Sequence, residues 1–370
     1  MKIGIDCRLW DETGVGRYIR NLVYSLQILD NKNEYVLFVL NRDRQEILKQ
    51  VQNDNFRIVE ADIRWHTLEE QLKLPQILNR GNLDLVHFPY FSAPVFYNRP
   101  FVVTIHDLII NHFSTGRAST LPFPIYSLKL LGYKFIMSQA VKKAKKILTV
   151  SSATKEEILD HWRVKENKVV VTYEGVDEKV RSSKSKVKSL VKGKYFLYVG
   201  NAYPHKNLER LLEAFDGLNS DVGLVLVGKE DYFYKRLKEK VQRMKLLDKV
   251  IFLQNVNDGE LASLYKNAIV LVVPSLMEGF GLSALEAMAN RCLVLASDIP
   301  ALYEVCGNAA IYFDPKNSND IAEKLMKALN LKNLQREEIK KKAAEWLKKF
   351  SWRKMAKETL DVYEHAISNP

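Results

Sequence analysis

The segment 269–288 reads IVLVVPSLMEGFGLSALEAM and decides the fold. Its apolar, mostly β-branched run ends at Pro274, a glycine-containing loop follows, and a helical pattern begins near Gly281. Such an uninterrupted apolar run is typical of a strand buried on both faces of a parallel sheet. In open α/β sheets, ligands bind beyond the carboxyl ends of the strands, and helix N-termini attract phosphate. The segment therefore predicts a strand–loop–helix unit with an anion site in its loop.

Short apolar runs alternate with helical patterns along the rest of the chain. The predicted strands of the first half are 2–8, 34–40, 56–62, 84–88, 101–107, 146–150 and 168–174. Those of the second half are 195–200, 223–228, 250–254, 269–274, 292–298 and 309–314. Strands that alternate with helices form parallel βαβ units with right-handed crossovers. The 370 residues therefore predict an α/β fold of two doubly wound, Rossmann-like domains that face each other across a cleft.

The net charge of +12 comes from two stretches of the chain. Residues 179–193 hold six basic and no acidic residues, and residues 108–155 hold eight basic and no acidic residues, so the remainder is slightly acidic. The first stretch lacks an apolar face and is typical of a linker. We therefore predict domains at 1–178 and 194–350, a basic linker at 179–193, and a C-terminal helix in 351–370 that returns to the first domain. The chain has no recognisable nucleic-acid-binding module, which argues against a nucleic-acid partner.

The composition also bears on the compartment. The apolar runs are far shorter than the roughly 18 residues that span a bilayer, and the first residues lack the apolar region of a signal peptide. The three cysteines form no Cys-x-x-Cys pair, which indicates reduced thiols. We expect a cytoplasmic protein.

Two carboxylates flank the predicted anion site. Glu278 precedes the helix and suits hydroxyl groups beside a phosphate, and Glu286 lies two helical turns further on, where it suits a second diol. The pair suggests a nucleotide-sugar ligand, although two glutamates alone are more often ordinary surface residues.

The segment E-G-F-G-L-x-x-L-E-A-M from Glu278 to Met288 resembles the Glu-x7-Glu motif of retaining family 4 glycosyltransferases with the GT-B fold. The resemblance extends over nearly the whole chain. It includes Thr13–Tyr18, Thr104–Asp107, Thr149–Ser152, Gly175–Asp177, and Val199-Gly200 followed by Pro204–Leu208. It implies that the first domain binds an acceptor and the second a nucleotide-sugar. It also implies that Glu278 contacts sugar hydroxyls, that Glu286 binds the ribose, and that the backbone N–H groups of Phe280, Gly281 and Leu282 meet the diphosphate.

The remaining site residues follow from the resemblance and from their places at strand ends. Lys206 suits a diphosphate as a compact charge, and His106 is expected near the reacting sugar or its phosphate. Relatives often carry an arginine where this chain has His205 or Asn201, which makes His205 a candidate pH-sensitive substitute. Gly14 and Gly16 are expected to form a loop that approaches the donor phosphate or the acceptor. They do not complete the dinucleotide-binding pattern G-x-G-x-x-G, because its third glycine would fall at the position of Ile19.

The chain has no Asp-x-Asp motif and no residues at metal-ligand spacing, so we expect no cofactor and metal-independent transfer. The resemblance to mannosyltransferases of surface-polysaccharide assembly suggests GDP-mannose as donor and a glycan or a lipid-linked acceptor. Residues 121–146 combine aromatic residues with a lysine cluster. This suggests either peripheral contact with anionic lipid at the inner membrane face or a helix packed on the sheet. The alternative functions are a nucleotide-sugar epimerase or phosphorylase and, from the charge, a nucleic-acid-binding protein.

Overall fold

The computed structural model describes residues 1–113, 123–176, 190–218 and 220–368. They form two compact units, each built on one parallel sheet. The first unit contains residues 1–108, 123–175 and 350–368, and the second contains the other described residues. Most of the predicted linker 179–193 lies outside the described residues.

The first sheet has seven parallel strands in the order β3-β2-β1-β4-β5-β6-β7. They are β1 (Lys2–Asp6), β2 (Glu34–Val39), β3 (Phe56–Glu60), β4 (Leu85–Phe88), β5 (Phe101–Ile105), β6 (Lys146–Thr149) and β7 (Val169–Val171). The helices of this part of the chain are α1 (Thr13–Leu29), α2 (Arg44–Gln50), α3 (Leu68–Arg80), α4 (Ile109–His112, grouped with the second unit), α5 (Phe123–Lys143) and α6 (Ser152–Trp162).

The second sheet has six parallel strands in the order β10-β9-β8-β11-β12-β13. They are β8 (Tyr195–Val199), β9 (Gly223–Val227), β10 (Val250–Leu253), β11 (Val270–Val273), β12 (Val294–Ser297) and β13 (Ala310–Phe313). The helices that follow are α7 (Leu208–Asp216), α8 (Tyr232–Arg243), α9 (Asp258–Asn267), α10 (Leu282–Ala289), α11 (Pro300–Cys306), α12 (Ser318–Asn330), α13 (Asn333–Trp346) and α14 (Trp352–Ser368).

All thirteen predicted strands are present, and both sheets have the predicted doubly wound parallel topology. Most strands end one to three residues earlier than predicted, so the last residues of the apolar runs enter the loops at the carboxyl edge. Within the described ranges, no helix is long and apolar enough to cross a bilayer.

The prediction that Gly14 and Gly16 form a loop is wrong, because both residues lie at the start of helix α1. Gly16 is required by close packing, since a Cβ atom there would lie 2.3 Å from the carbonyl oxygen of Trp10. A Cβ atom at Gly14 would have nothing within 4 Å. Gly16 thus allows helix α1 to approach the preceding turn, which is a packing role.

Helix α14 packs in the first unit, where its buried residues recur at three- and four-residue spacing. Its Tyr363 hydroxyl lies 2.6 Å from Nδ1 of His87 on β4, and Nε2 of His87 lies 2.7 Å from the hydroxyl of Thr104 on β5. His87 is fully buried, and both its nitrogens are hydrogen-bonded. This network ties the C-terminal helix to the middle of the first sheet.

The buried imidazole of His87 makes stability depend on pH. Burial, with a smaller contribution from His106, lowers the pKa of His87 to about 3, whereas the unfolded chain protonates it below a pH of about 6.5. The stability that neutral His87 contributes is therefore complete above the unfolded pKa and is lost as the pH falls toward the folded one.

We expect the free energy of unfolding of the wild-type protein to fall by about 2 kcal/mol between pH 7.5 and pH 5.0 through His87 alone. A His87→Gln protein should lack this part of the pH dependence, because glutamine does not titrate. Urea titrations at the two pH values measure the difference. His365→Gln is the control, because His365 is an exposed histidine of α14. An equal pH dependence in the wild-type and His87→Gln proteins would contradict the assignment.

Candidate functional site

Two loops of the second unit meet because the strands that precede them are neighbours. Strand β8 pairs with β11, with Phe196 opposite Val270 and Leu197 opposite Leu271. The loop after β8 carries Lys206 and the loop after β11 carries Glu278. The strand order reverses at this pair of strands, which is the point where open α/β sheets bind ligands.

Asn207 holds these loops together. Its side-chain amide donates to the carbonyl oxygens of Pro274 and Pro315, at 2.9 and 2.8 Å. Its backbone is left-handed, with φ 60°, and it directly precedes α7. The backbone N–H of Leu276 also donates to the carbonyl oxygen of His205 at 2.7 Å. The loop that carries Lys206 is thus fixed against the loop that carries Glu278.

Lys206 and Glu278 form an ion pair. The Lys206 ammonium donates to both carboxylate oxygens of Glu278, at 2.7 and 2.9 Å, and the Ser275 hydroxyl donates to Oε1 at 2.6 Å. The two side chains are 17% and 12% exposed. Burial opposes ionisation of Glu278, but Lys206 and Ser275 outweigh it and hold the pKa of this carboxyl below its usual value. Glu278 is therefore a carboxylate, which accepts hydrogen bonds from hydroxyl groups and donates none.

The N-terminus of α10 lies directly after Glu278 in the same loop. The residue before the helix is Gly281, with φ 110° and ψ 48°, and it has no side chain to cap the helix. Phe280 is buried, and a Cβ atom at Gly281 would lie 2.8 Å from Cδ2 of Leu302. Glycine thus permits the turn that starts α10 at Leu282, where backbone N–H groups and the helix dipole favour an anion.

Glu286 lies on α10 and is 4% exposed. The hydroxyl of Tyr265, a buried residue of α9, donates to its Oε2 at 3.0 Å. The hydrogen bond orients a buried carboxylate one turn from the start of the helix.

His205 differs from its expected role. Burial, together with the neighbouring Lys206 ammonium, lowers the pKa of His205 to about 4, and the opposing effect of Glu278 is smaller. The imidazole is therefore neutral at pH 7 and does not replace the positive charge of an arginine. The expectation of a pH-sensitive cation at His205 is wrong in the physiological range. Asn201 instead accepts a hydrogen bond from Tyr198 through its backbone carbonyl at 2.5 Å.

The other predicted residues lie in the first unit. His106 directly follows β5, and its side chain is 12% exposed. Its Nε2 lies 2.9 Å from the carbonyl oxygen of Pro89, and its Nδ1 lies 3.4 Å from Oε1 of Glu174. Gly14 and Gly16 belong to α1, as described above. The structure thus brings seven of the predicted residues together in one unit: Lys206, His205, Glu278, Phe280, Gly281, Leu282 and Glu286.

Four supporting residues carried no sequence prediction: Asn207, Tyr265, Ser275 and Glu174. The spacing of Ser275 from Glu278 within one loop is a signal that sequence analysis could have used. Tyr265 and Glu174 contact their partners only through the tertiary fold, so no local pattern indicates them. Among the residues that the structure describes, no three His, Cys, Asp or Glu side chains form a group that could hold a metal ion.

Two family models match the chain. The model described as glycosyltransferase family 4 matches residues 13–180, and the model described as glycosyl transferases group 1 matches residues 180–346. The two matches are contiguous and together leave only the two ends of the chain outside.

Curated relatives include two O-antigen chain mannosyltransferases. The O-antigen chain mannosyltransferase RfbU of Salmonella typhimurium is 32% identical over 252 residues, which is 68% of this chain and 66% of that protein. The O-antigen chain mannosyltransferase B of Escherichia coli is 28% identical over 95% of this chain and 96% of its own length. The match to the first of these relatives thus spans slightly less than two thirds of that relative.

Solved structures share the fold over the full length. A sucrose-phosphate synthase from Thermosynechococcus elongatus superposes with a TM-score of 0.80 at 20% identity and covers 100% of both chains. Anabaena HepE in complex with UDP-glucose superposes with a TM-score of 0.77 at 17% identity and covers 99% of this chain and 100% of its own.

A Gly281→Ala substitution tests the turn at the start of α10. We expect a loss of about 1–3 kcal/mol in the free energy of unfolding, because alanine disfavours φ 110° and its Cβ meets Leu302. Gly217→Ala in the same unit is the control, since Gly217 has φ −69° and only ordinary contacts at 3.6 Å. That control should change stability by no more than about 0.5 kcal/mol. Equal stability of the two variants in urea titrations would refute the steric argument.

Proposed function

Since the chain belongs to the family 4 glycosyltransferases, we propose that it transfers mannose from GDP-mannose to a hydroxyl of a glycan or lipid-linked acceptor. The transfer retains the anomeric configuration and requires no metal ion. The finding that carries this proposal is the Lys206–Glu278 pair beside the N-terminus of α10, on two loops that neighbouring strands bring together.

The charges of this site suit a nucleoside diphosphate-sugar. The Lys206 ammonium and the backbone N–H groups at the start of α10 stabilise the negative charge that grows on the leaving diphosphate. Their positions are set by Asn207 and Gly281 before a donor arrives, so little reorganisation accompanies the reaction. These groups take the part that a divalent cation plays in other transferases, which is why the proposal includes no metal.

The carboxylates suit the two sugars of the donor. Glu278 stays ionised through its contacts with Lys206 and Ser275, so it accepts hydrogen bonds from hydroxyl groups of the transferred sugar. Glu286, which Tyr265 orients, accepts from the ribose hydroxyls. The transferred sugar is inferred from the relatives, two of which are described as O-antigen chain mannosyltransferases. The guanine base is the expectation from the family resemblance of the sequence.

Retention follows from same-face attack in this proposal. Glu278 contacts the hydroxyl side of the sugar, so it does not act as a covalent nucleophile of the kind used by retaining glycosidases. The acceptor hydroxyl attacks from the face that the diphosphate leaves, and a diphosphate oxygen takes its proton. The protein contributes positioning and charge stabilisation.

Donor binding and transfer test this proposal directly. In a thermal-shift screen of GDP-, UDP- and dTDP-sugars, GDP-mannose should raise the melting temperature most, because a ligand that binds only the folded state stabilises it. Lys206→Met and Glu278→Gln should each lower kcat/KM by about 100-fold or more. Lys240→Met is the control, since Lys240 forms an exposed pair with Glu213 in the same unit.

Several outcomes would overturn the assignment. Full transfer by Lys206→Met or Glu278→Gln would show that the Lys206–Glu278 pair is not part of the transfer site. A loss of activity in EDTA that Mg²⁺ restores would show that the transfer needs a metal ion. Turnover of the donor without an acceptor would favour the alternative of a nucleotide-sugar epimerase.

Helix α5 supports a further part of the proposal, peripheral contact with anionic lipid. Its four exposed apolar side chains are Ile125, Leu128, Leu131 and Phe135, of which Leu128 is 71% and Leu131 64% exposed. At about 100° per residue, these four lie within one third of the helix circumference. Met137, Ala140 and Val141 are buried and lie on the opposite side. The helix therefore has two apolar faces, one of which packs on the unit and one of which faces solvent.

Lysines border the exposed apolar face. Lys129 and Lys134 lie on its two sides and are exposed, and the exposed Lys142 and Lys143 follow at the C-terminal end. An apolar stripe between lysines is typical of helices that lie in the headgroup region of an anionic bilayer. The packed-helix alternative describes the face with Met137, Ala140 and Val141, whereas the face with Leu128, Leu131 and Phe135 is exposed. The side chain of Phe123 lies outside the described residues. We place this contact at the inner membrane face of a cytoplasmic enzyme, where a lipid-linked acceptor would be found.

Vesicle flotation tests the membrane contact. The wild-type protein should float with vesicles that contain an anionic phospholipid, less so at high salt, and not with purely zwitterionic vesicles. A Leu128→Ser, Phe135→Ser double variant should bind the anionic vesicles at least about tenfold more weakly than the wild type. Leu334→Ser is the control, because Leu334 is an 86% exposed leucine of α13 in the other unit. Equal flotation of the double variant and the wild type would refute the proposed surface.

A further inference from the structure

The sheet of the first unit has a point of its own where the strand order reverses. Strand β1 pairs with β2 on one side and with β4 on the other, and the chain continues outward from each of these two strands. Open α/β sheets bind ligands beyond the carboxyl ends of the strands at such a point. The loops after β1 and β4 are therefore the place to look for a ligand site in this unit.

A buried arginine fixes these loops. The Arg8 side chain, after β1, is 2% exposed and donates to the two carboxylate oxygens of Asp6 at 2.8 and 2.7 Å. It also donates to Oε1 of Glu70 on α3 at 2.7 Å and to the carbonyl oxygen of Ile63, after β3, at 3.0 Å. Oε2 of Glu70 accepts from the hydroxyl of Ser92, after β4, at 2.8 Å. Burial of these charges is costly, and their hydrogen bonds hold the loops after three strands in one arrangement.

The same network holds the backbone of His66, which lies between β3 and α3. The backbone N–H of His66 donates to Oε2 of Glu70 at 2.8 Å, and its φ is 58°. A residue other than glycine is uncommon in this left-handed region and stays there only where the surrounding structure fixes it. Because His66 is also exposed, the buried charges position an aromatic residue at the surface of the unit.

His66 belongs to a cluster of aromatic rings. Its ring stacks on Phe91, with centroids 5.3 Å apart and an angle of 20° between the planes. Tyr90 packs against both rings, at 5.8 Å from His66 and 4.3 Å from Phe91, and Tyr133 of α5 meets Phe91 edge to face at 4.7 Å. Phe91 is buried, whereas Tyr90 and Tyr133 are half-buried. The buried ring thus supports a partly exposed aromatic surface.

The charges beside this surface favour a neutral ligand with hydroxyl groups. Desolvation by the surrounding protein, with smaller contributions from Arg8 and Lys129, lowers the pKa of His66 to about 4, so its ring is uncharged at pH 7. The Asp6 side chain is 13% exposed, and within the described residues its oxygens accept three hydrogen bonds, all from Arg8. A carboxylate has roughly four acceptor positions, so one is left for a hydroxyl group. An anion would instead meet the two carboxylates that Arg8 already pairs.

A sugar ring matches both kinds of group. One face of a pyranose consists of C–H groups, which pack on the face of an aromatic ring, and its edge carries hydroxyl groups that donate to a carboxylate oxygen. Small-ligand sites commonly combine aromatic side chains with a few placed polar groups in this way.

We propose that His66, Tyr90 and Asp6 form a subsite for one pyranose ring of the acceptor. The inference rests on the proposed function, which names a glycan or a lipid-linked acceptor. It adds that the first unit recognises the carbohydrate part of that acceptor.

Binding of simple glycosides tests the subsite without a donor. In protein labelled with ¹³C-histidine, which has seven histidines, the signal of His66 is identified by its loss in His66→Gly. At millimolar concentration, at least one of the methyl α-D-pyranosides of mannose, glucose and galactose should shift this signal. If none of the three shifts it, the proposal is overturned.

The affinity of the His66→Gly variant tests the aromatic contact. Saturation-transfer NMR should show that it binds the glycoside about 3- to 10-fold more weakly, because one aromatic contact is lost. Glycine readily adopts φ 58°, so the backbone of the loop is retained. Tyr24→Ser is the control, since Tyr24 of α1 is a 62% exposed aromatic residue of the same unit. An affinity equal to that of the wild type in His66→Gly would contradict the proposal.

A variant of the second unit separates this subsite from the proposed donor site. Glu278→Gln should bind the glycoside as tightly as the wild type does. If Glu278→Gln loses the glycoside while His66→Gly keeps it, the sugar binds in the donor site and the inference fails.

Transfer kinetics give a second measurement. His66→Gly should raise the KM for the acceptor by about 3- to 10-fold and leave the KM for the donor unchanged. A rise in the KM for the donor alone would overturn the inference. If no nucleotide-sugar supports transfer, the proposed function fails, while the glycoside experiments still decide whether the subsite exists.

Discussion

The pairing of β8 with β11 is the constraint on which the candidate site depends. Both strands are almost completely buried, so neither can carry a charge along its length. Charged groups are therefore confined to the loops at the strand ends, and the pairing brings together the two loops that follow β8 and β11. The ion pair of Lys206 and Glu278 is a consequence of that adjacency, and it offsets the cost of removing each charge from water. Ser275 donates a further hydrogen bond to Glu278, and Asn207 fixes the two loops against each other by donating to the carbonyl oxygen of Pro274.

The predicted family and the two parallel-sheet domains of the GT-B fold are confirmed. The strands were predictable because a parallel strand with helices on both faces needs an uninterrupted apolar run, a local pattern that few other elements share. Their carboxyl ends were less predictable, because residues that follow a strand often stay extended after the last ladder hydrogen bond. His106 and Glu174 both lie in such extensions, and there the two side chains meet.

The errors in the prediction share a physical cause, which is that they concern contacts between segments distant in sequence. Gly14 and Gly16 resemble a phosphate loop in isolation, but the carbonyl oxygen of Trp10 forces glycine at position 16 within a helix. The charge of His205 depends on its burial and on Lys206, neither of which the residue type reveals. The exposed face of α5 was also uncertain from sequence, because an apolar helix with two apolar sides has no polar stripe that tells the buried side from the exposed one.

Glu174 lies at the end of a segment of the first unit, directly before a point where the chain crosses into the second unit. The chain leaves the first unit after Gly175 and returns to it at Phe350. These two crossing points lie side by side, because Tyr173 packs on Phe350 and Gly175 on the nitrogen of Trp352. Glu174 lies between these contacts and directs its carboxylate at His106. A change in the backbone at either crossing point therefore acts on the contact between Glu174 and His106. The side chains that hold these crossing points thus also hold a buried carboxylate against the residue that the sequence leads us to expect near the donor.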